Sequence, residues 1–405
     1  MKYYKYLLLI GVLVLVRCRS NVASVYDFPK PVDTHSQSIV MQDKRLYKAD
    51  DVSADNRFDG ARLNNFFQVD DQTFQVDIFP ENTPINPSPW YSFKIWSDNP
   101  RQLDLILNYD SVPHRYQPWL SNNGIDWSMM DSTKIEMLSE NKVKIHLQLA
   151  RDTLWVSAQE LVNSERVRTW CLDVSRHAAV HFDVVGKSLL GKDIYRLRIG
   201  EGIEQKKPTI IILSRQHPPE VTGYFAMQAF IDEILKDNPV SNAFREKYEV
   251  LVYPLMNPDG VDLGHWRHNA GGIDLNRDWA YYRQPETRTV ANDIVKKLHK
   301  ERSKVILGLD FHSTWYDIFY TNIPQTKSLT DFKDFWIYSV KESIQDSILE
   351  RASEPLTPVS KSWFYEQFNA VGITYEIGDG TSRPYIKEKG ETTAREMMKL
   401  LLYKD

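Results

Sequence analysis

The stretch Pro208-Thr-Ile-Ile-Ile-Leu-Ser-Arg-Gln-His-Pro-Pro-Glu220, continued by Val221-Thr-Gly-Tyr-Phe-Ala-Met-Gln-Ala-Phe-Ile-Asp-Glu-Ile-Leu235, decides how this chain folds. Thr209 to Leu213 is an apolar, largely β-branched run and predicts a buried strand. Tyr224, Phe225, Met227, Phe230, Ile231, Ile234 and Leu235 predict an apolar helix face. Between the two lie His217 and Glu220. At a strand-to-helix junction, an imidazole and a carboxylate three residues apart can turn toward one point. They then hold a metal with one position left open to water. A histidine near a glutamate is common on protein surfaces, so the pair alone establishes nothing; three later segments join it.

Beyond residue 200 the same alternation recurs. Strands are expected at Tyr248–Tyr253, Val305–Phe311 and Gly372–Ile377, and helices near Val221–Leu235, Glu286–Leu298, Leu329–Ile348 and Glu391–Leu402. The fold class is therefore α/β, a mainly parallel mixed sheet flanked by helices. Sites in such sheets form at the carboxyl ends of the strands, where His217, Asn257, His312 and Glu376 stand.

His312 ends its strand and supplies a third ligand. A His/Glu/His set suits one catalytic Zn2+ per chain, which would lower the pKa of a water to about 7 and polarise a carbonyl. Asp310 is a candidate outer partner, although a strand-end aspartate is as often a simple cap. In His265-Trp-Arg-His-Asn-Ala-Gly-Gly-Ile-Asp-Leu-Asn-Arg277, Asn276 and Arg277 adjoin in a Gly-rich loop. A guanidinium fork grips a carboxylate in two places, and an amide adds a donor. Arg267 is placed to steady an oxyanion. Plain surface charge suits Arg283 or Arg288 better than this dense group. Glu376, an acid inside an apolar strand, needs a partner or a task, and a general base has one.

The first part of the chain differs. Short runs such as Phe74–Phe79, Trp90–Trp96, Leu103–Asn108, Lys142–Leu147 and Thr153–Val156 alternate with turn-rich segments such as Pro80-Glu-Asn-Thr-Pro-Ile-Asn-Pro-Ser-Pro89. They predict an antiparallel β-sandwich over 25–157. Most of Trp90, Tyr91, Trp96, Trp119 and Trp127 suit core and inter-domain packing better than a ligand groove. Gln159–Cys171 is expected to be a linking helix that opens the second domain, 158–405. Val184–Ile199 is expected to form two strands about a Gly-containing turn.

Lys2 and Lys5 precede Leu7–Val16, an apolar run too short to span a bilayer comfortably, so residues 1–24 are expected to be a signal peptide. The protein is then exported: periplasmic, secreted, or a membrane-anchored lipoprotein. Cys18 stands where a lipidated cysteine would, although Arg17 occupies the place of a small residue. With Cys171 the only other cysteine, a disulfide framework is excluded. A formal charge of −4 over 405 residues, with no basic block, excludes a nucleic-acid partner.

His-x-x-Glu at 217–220, Asn-Pro-Asp-Gly at 257–260, Asp-Leu-Asn-Arg at 274–277, His312-Ser and Glu376 together resemble the M14 zinc carboxypeptidases, over roughly residues 180–405. Pro89-Trp-Tyr-Ser-Phe93 and the preceding sandwich resemble the cytosolic-carboxypeptidase-like branch. The resemblance implies His217, Glu220 and His312 as zinc ligands. It implies Asn276 and Arg277 as the clamp on a terminal carboxylate, Arg267 as the oxyanion arginine and Glu376 as general base. Lys361, fifteen positions before Glu376, falls where the family sets side-chain preference, and a lysine there implies acidic terminal residues; a solvated loop lysine is the plain alternative. The family's mobile capping tyrosine has no match between Leu329 and Ser360, and Tyr365 and Tyr385 are candidates by type only.

The expected function is an exported zinc metallocarboxypeptidase acting on peptides with a free C-terminus. Alternatives are an amidohydrolase of N-acyl amino acids, an enzyme trimming cell-wall muropeptides, or an inactive peptide-binding relative.

Overall fold

The computed structural model describes residues 22–202, 206–324, 326, 329–345 and 348–403. The run Leu7–Val16 and Cys18, on which the signal-peptide and lipid-anchor expectations rest, lie outside the described residues. No helix among those described is long and apolar enough to cross a membrane.

The first unit is built from β1 (Leu46–Ala49), β2 (Val52–Asp55), β3 (Asn65–Gln68), β4 (Thr73–Asp77), β5 (Ser92–Ser97), β6 (Arg101–Asn108), β7 (Trp119–Ser121), β8 (Ser128–Met129), β9 (Ile135–Ser139), β10 (Lys142–Leu149) and β11 (Leu154–Ser157). One sheet has the order β1-β2-β5-β11-β7-β8 and the other β3-β4-β6-β10-β9. Alternate residues point inward. Leu103, Leu105 and Leu107 of β6 and Val143, Ile145 and Leu147 of β10 join Phe93 and Ile95 of β5 in one core. The pairing is antiparallel except between β4 and β6, which run parallel. Trp90 and Tyr91 are buried in this core, Trp119 is buried beneath Arg383 of the second unit, and Trp96 and Trp127 are only partly buried.

Residues 22–42 carry no strand. They strap the second unit instead. The Ala23 amide donates to Asn292 Oδ1, the Thr34 hydroxyl to Asp278 Oδ1, and the Gln37 amide to Gly271 O.

The connection to the second unit stays non-helical through Val162. Helix α1 (Ser164–Val174) starts only there because Asn163 caps it, accepting from the Arg166 amide. The expected helix from Gln159 is thus shifted toward the C-terminus.

The second unit holds β12 (Val180–Lys187), β13 (Asp193–Ile199), β14 (Pro208–Ser214), β15 (Glu249–Tyr253), β16 (Lys304–Thr314), β17 (Ile318–Asn322), β18 (Leu349–Ser353) and β19 (Val371–Gly378). Their order is β12-β13-β15-β14-β16-β19-β17-β18. The central β15, β14, β16 and β19 are parallel, as the alternation predicts. Around them lie α2 (Val221–Leu235), α3 (Pro239–Lys247), α4 (Pro258–Leu263), α5 (Pro285–Glu301), α6 (Phe332–Ile344), α7 (Ser360–Phe368) and α8 (Arg383–Tyr403). Both faces of β14 are buried. Ile210 and Ile212 pack with Met227, Phe230 and Met397 on one side, Ile211 and Leu213 with Val290, Ile294 and Trp363 on the other. That is why its sequence is a continuous apolar run and not an alternating one. Helix α8 begins eight residues before the expected Glu391, at Arg383-Pro384, because proline is well placed in a first turn.

Candidate metal centre and active site

The carboxyl ends of β14, β16 and β19 bring the distant segments together. His217 follows β14, Glu220 immediately precedes α2, and His312 lies in the last turn of pairing between β16 and β19, directly opposite Glu376. Donor atoms of His217, Glu220 and His312 all lie within 4.8 Å of one another, and all three residues are buried. His217 Nδ1 is 2.8 Å from Glu220 Oε1, and His312 Nδ1 is 2.7 Å from Glu220 Oε2.

The chemistry of this donor set fits a divalent ion. The two Nδ1 atoms face each other at 3.2 Å, while each ring hands its other nitrogen to a carboxylate. His217 Nε2 is 2.8 Å from Asp274 Oδ1, and His312 Nε2 is 2.8 Å from Asp310 Oδ2. A ring that donates from Nε2 presents a lone pair at Nδ1. Two such lone pairs and a carboxylate converging on one buried point call for a cation.

Asp310 is thus an outer partner, held in place by Gln216 and the Ser360 hydroxyl. Asp274, to which the sequence reading gave no role, does more. It accepts from His217 and from Arg267 Nε at 2.8 Å, and it caps the turn that carries Asn276. Its signal was present in the Asp-Leu-Asn-Arg group, but nothing in one dimension shows which side chains a loop aspartate will meet.

Arg267 is buried and paired with Asp274. Asn276 Oδ1 accepts from the Ser360 amide at 2.9 Å, and its Nδ2 lies 3.5 Å from His312 Nε2. Arg277 stays open: its side chain is 38% exposed, with Nη1 donating to the Asn276 carbonyl. Glu376 has one buried carboxylate oxygen, Oε2, without a hydrogen-bond partner. Its pKa is pushed up to about 7, above all by burial, with the Glu220 charge adding to it and His312 opposing.

Lys361 sits in the first turn of α7 and is buried. Its ammonium donates to Thr321 O at 3.2 Å, Asn322 Oδ1 at 2.8 Å and Ser353 Oγ at 3.1 Å. All three are neutral. Among the described residues no carboxylate pairs with it, and burial pulls its pKa down to about 8. It is therefore not a solvated loop lysine.

Two expectations take other places. Asn257 is a cap, accepting from the Gly260 amide and donating to Gln216 O. Tyr365 lines a small cavity with Pro324, Val371 and Gly372, at the opposite end of β19 from Glu376.

Comparison with known proteins agrees with this geometry. The model of the family described as zinc carboxypeptidase matches residues 170–396. Cytosolic carboxypeptidase 2 of Xenopus tropicalis is 36% identical over 133 residues, which cover 31% of this chain and 14% of that protein. An uncharacterised protein of Zymomonas mobilis is 26% identical over 265 residues, covering 63% of this chain and 66% of the relative. The chain thus spans less than two thirds of the length of these relatives. In solved structures, a metallo-carboxypeptidase from Burkholderia cenocepacia superposes with a TM-score of 0.75 at 17% identity, covering 87% of this chain and 100% of the other. One from Pseudomonas aeruginosa gives 0.69 at 19%, covering 86% and 98%. These last two likenesses concern the fold of both units together.

Proposed function

The chain belongs to the zinc carboxypeptidase family, with His217, Glu220 and His312 as its zinc site, and from that premise we propose that it removes single residues from peptides with a free C-terminus, favouring acidic ones. The observation that supports the reaction is the gathering of Glu376, Arg267, Asn276 and the three ligands at one end of one sheet. When bound, zinc supplies Lewis acidity to a carbonyl and acidifies a neighbouring water.

The chain's own groups account for the remainder. Arg277, open to solvent, and the Asn276 amide hold the terminal carboxylate and so fix which bond reaches the centre. The unpartnered Oε2 of Glu376 takes a proton from water and delivers it to the departing amine; a base poised near 7 suits both transfers. Arg267, anchored by Asp274, donates to the oxygen on which negative charge develops.

Lys361 supports the acidic preference. A buried ammonium with three neutral partners and, among the described residues, no anion is incomplete, and the carboxylate of a terminal Glu or Asp completes it. Peptides ending in Glu, Lys and Phe, assayed before and after chelation, test both parts. Hydrolysis that survives chelation overturns the metallopeptidase reading; equal turnover of the three overturns the preference.

The address belongs to the proposal as well. Lys2, Lys5 and the run Leu7–Val16 support export, with Cys18 as a site for a lipid anchor. Fractionation of cells expressing the full chain, with mass spectrometry of the mature N-terminus, tests it; an uncut, cytoplasmic protein overturns it.

A further inference from the structure

The connection between β4 and β5, in the first unit, carries one fully buried acid, Glu81. Its carboxylate is spent on three consecutive amides of the second unit. Oε2 accepts from the Trp266 amide at 2.7 Å, and Oε1 accepts from the Arg267 amide at 3.0 Å and the His268 amide at 2.7 Å. The next residue extends the grip: Asn82 Oδ1 meets His268 Nδ1 at 2.6 Å, and its Nδ2 donates to Gly272 O at 3.1 Å. Arg62, also buried, stands 3.9 Å behind the carboxylate. Hydrogen bonds to an ionised acceptor are about twice as strong as neutral ones, and three of them fix the backbone from which the Arg267 side chain leaves. At its far end that side chain is fixed by Asp274.

We infer that Glu81 is a positioning residue for Arg267: the first unit reaches across and sets the loop that aims the guanidinium at the reaction centre. A sheet core or a domain boundary needs no such device, and no other acid of the first unit is described as bonding three neighbouring amides of the second. The inference rests on Arg267 acting on the developing oxyanion. It assigns the β-sandwich a part in catalysis that packing alone does not give it.

The test is a double-mutant cycle in the full zinc-loaded chain. In Glu81→Gln one acceptor becomes a donor facing the amides. Its kcat is expected to fall about 10- to 100-fold, the scale of a misplaced catalytic group, with KM within twofold and zinc content unchanged. Affinity for a phosphinic peptide, a tetrahedral anion, should fall in parallel, while affinity for the product amino acid should not. The variant Glu81→Gln/Arg267→Ala should be no slower than Arg267→Ala. Additive losses, or a Glu81→Gln enzyme within twofold of wild type, overturn the inference. Full activity in Arg267→Ala alone overturns the reading of Arg267 instead, and is seen without reference to Glu81. Should Glu81→Gln not fold, Asn82→Ala carries the same cycle with a smaller effect, and additivity there is equally decisive.

Discussion

Gly223 lies against the backbone of His312 so closely that a Cβ on it would stand 2.3 Å from the His312 carbonyl oxygen and 2.9 Å from its amide nitrogen. Only a residue without a side chain lets α2 approach the strand that presents a ligand. Gly223→Ala must therefore move either the helix that Glu220 leads or the strand that carries His312. Overpacking of this kind costs about 1–3 kcal/mol. The expected outcome is a lowered Tm together with loss of zinc to a competing chelator that wild type resists. Unchanged metal retention would show that the ligands move as one body.

Asp274→Asn keeps the size of the side chain and removes the charge shared by His217 and Arg267. Outer partners of this sort are worth about 10- to 100-fold in metal affinity. Zinc competition should show a loss in that range, and kcat should fall further than occupancy explains because Arg267 is released as well. A loss of metal affinity alone, with kcat of the loaded enzyme intact, would separate the two tasks.

Glu376→Gln should keep its zinc and lose hydrolysis. General-base removal costs about 100- to 10,000-fold, and elemental analysis of the same sample shows whether the metal stayed. Residual activity near wild type would remove Glu376 from the reaction.

The preference carried by Lys361 should depend on pH. Burial lowers its pKa from 10.5 to about 8. The ammonium is then charged below pH 8, and neutral over a range where an exposed lysine would still be charged. The ratio of kcat/KM for a peptide ending in Glu to one ending in Leu should be level below pH 7 and fall as pH rises through about 8. In Lys361→Met the ratio should be low and flat throughout.

These positions divide by how much of them the sequence could show. His217 and Glu220 were legible as a pair three residues apart at a strand-to-helix junction, and His312 and Glu376 as polar residues late in apolar strands, where the parallel sheet dictates where they go. The strands themselves followed from composition, since β14 and β16 are buried on both faces. Asp274 and Glu81 were not legible. Both stand in loops rich in Gly, Pro and Asn, where an acid is unremarkable until its partners, 57 residues away for His217 and 185 for Trp266, are seen beside it. Helix starts missed at Ser164 and Arg383 turned on a capping asparagine and a first-turn proline that apolar periodicity does not register.

The strap of residues 22–42 has a temporal consequence. Thr34 and Gln37 leave a ribosome long before Asp278, Gln284 and Gly271, the residues that hold them. The earliest-made part of the described chain is therefore among the last to find its seat, and it seals a unit translated after it. Amide exchange at Gln37 would then report completion of the whole molecule rather than the start of its assembly.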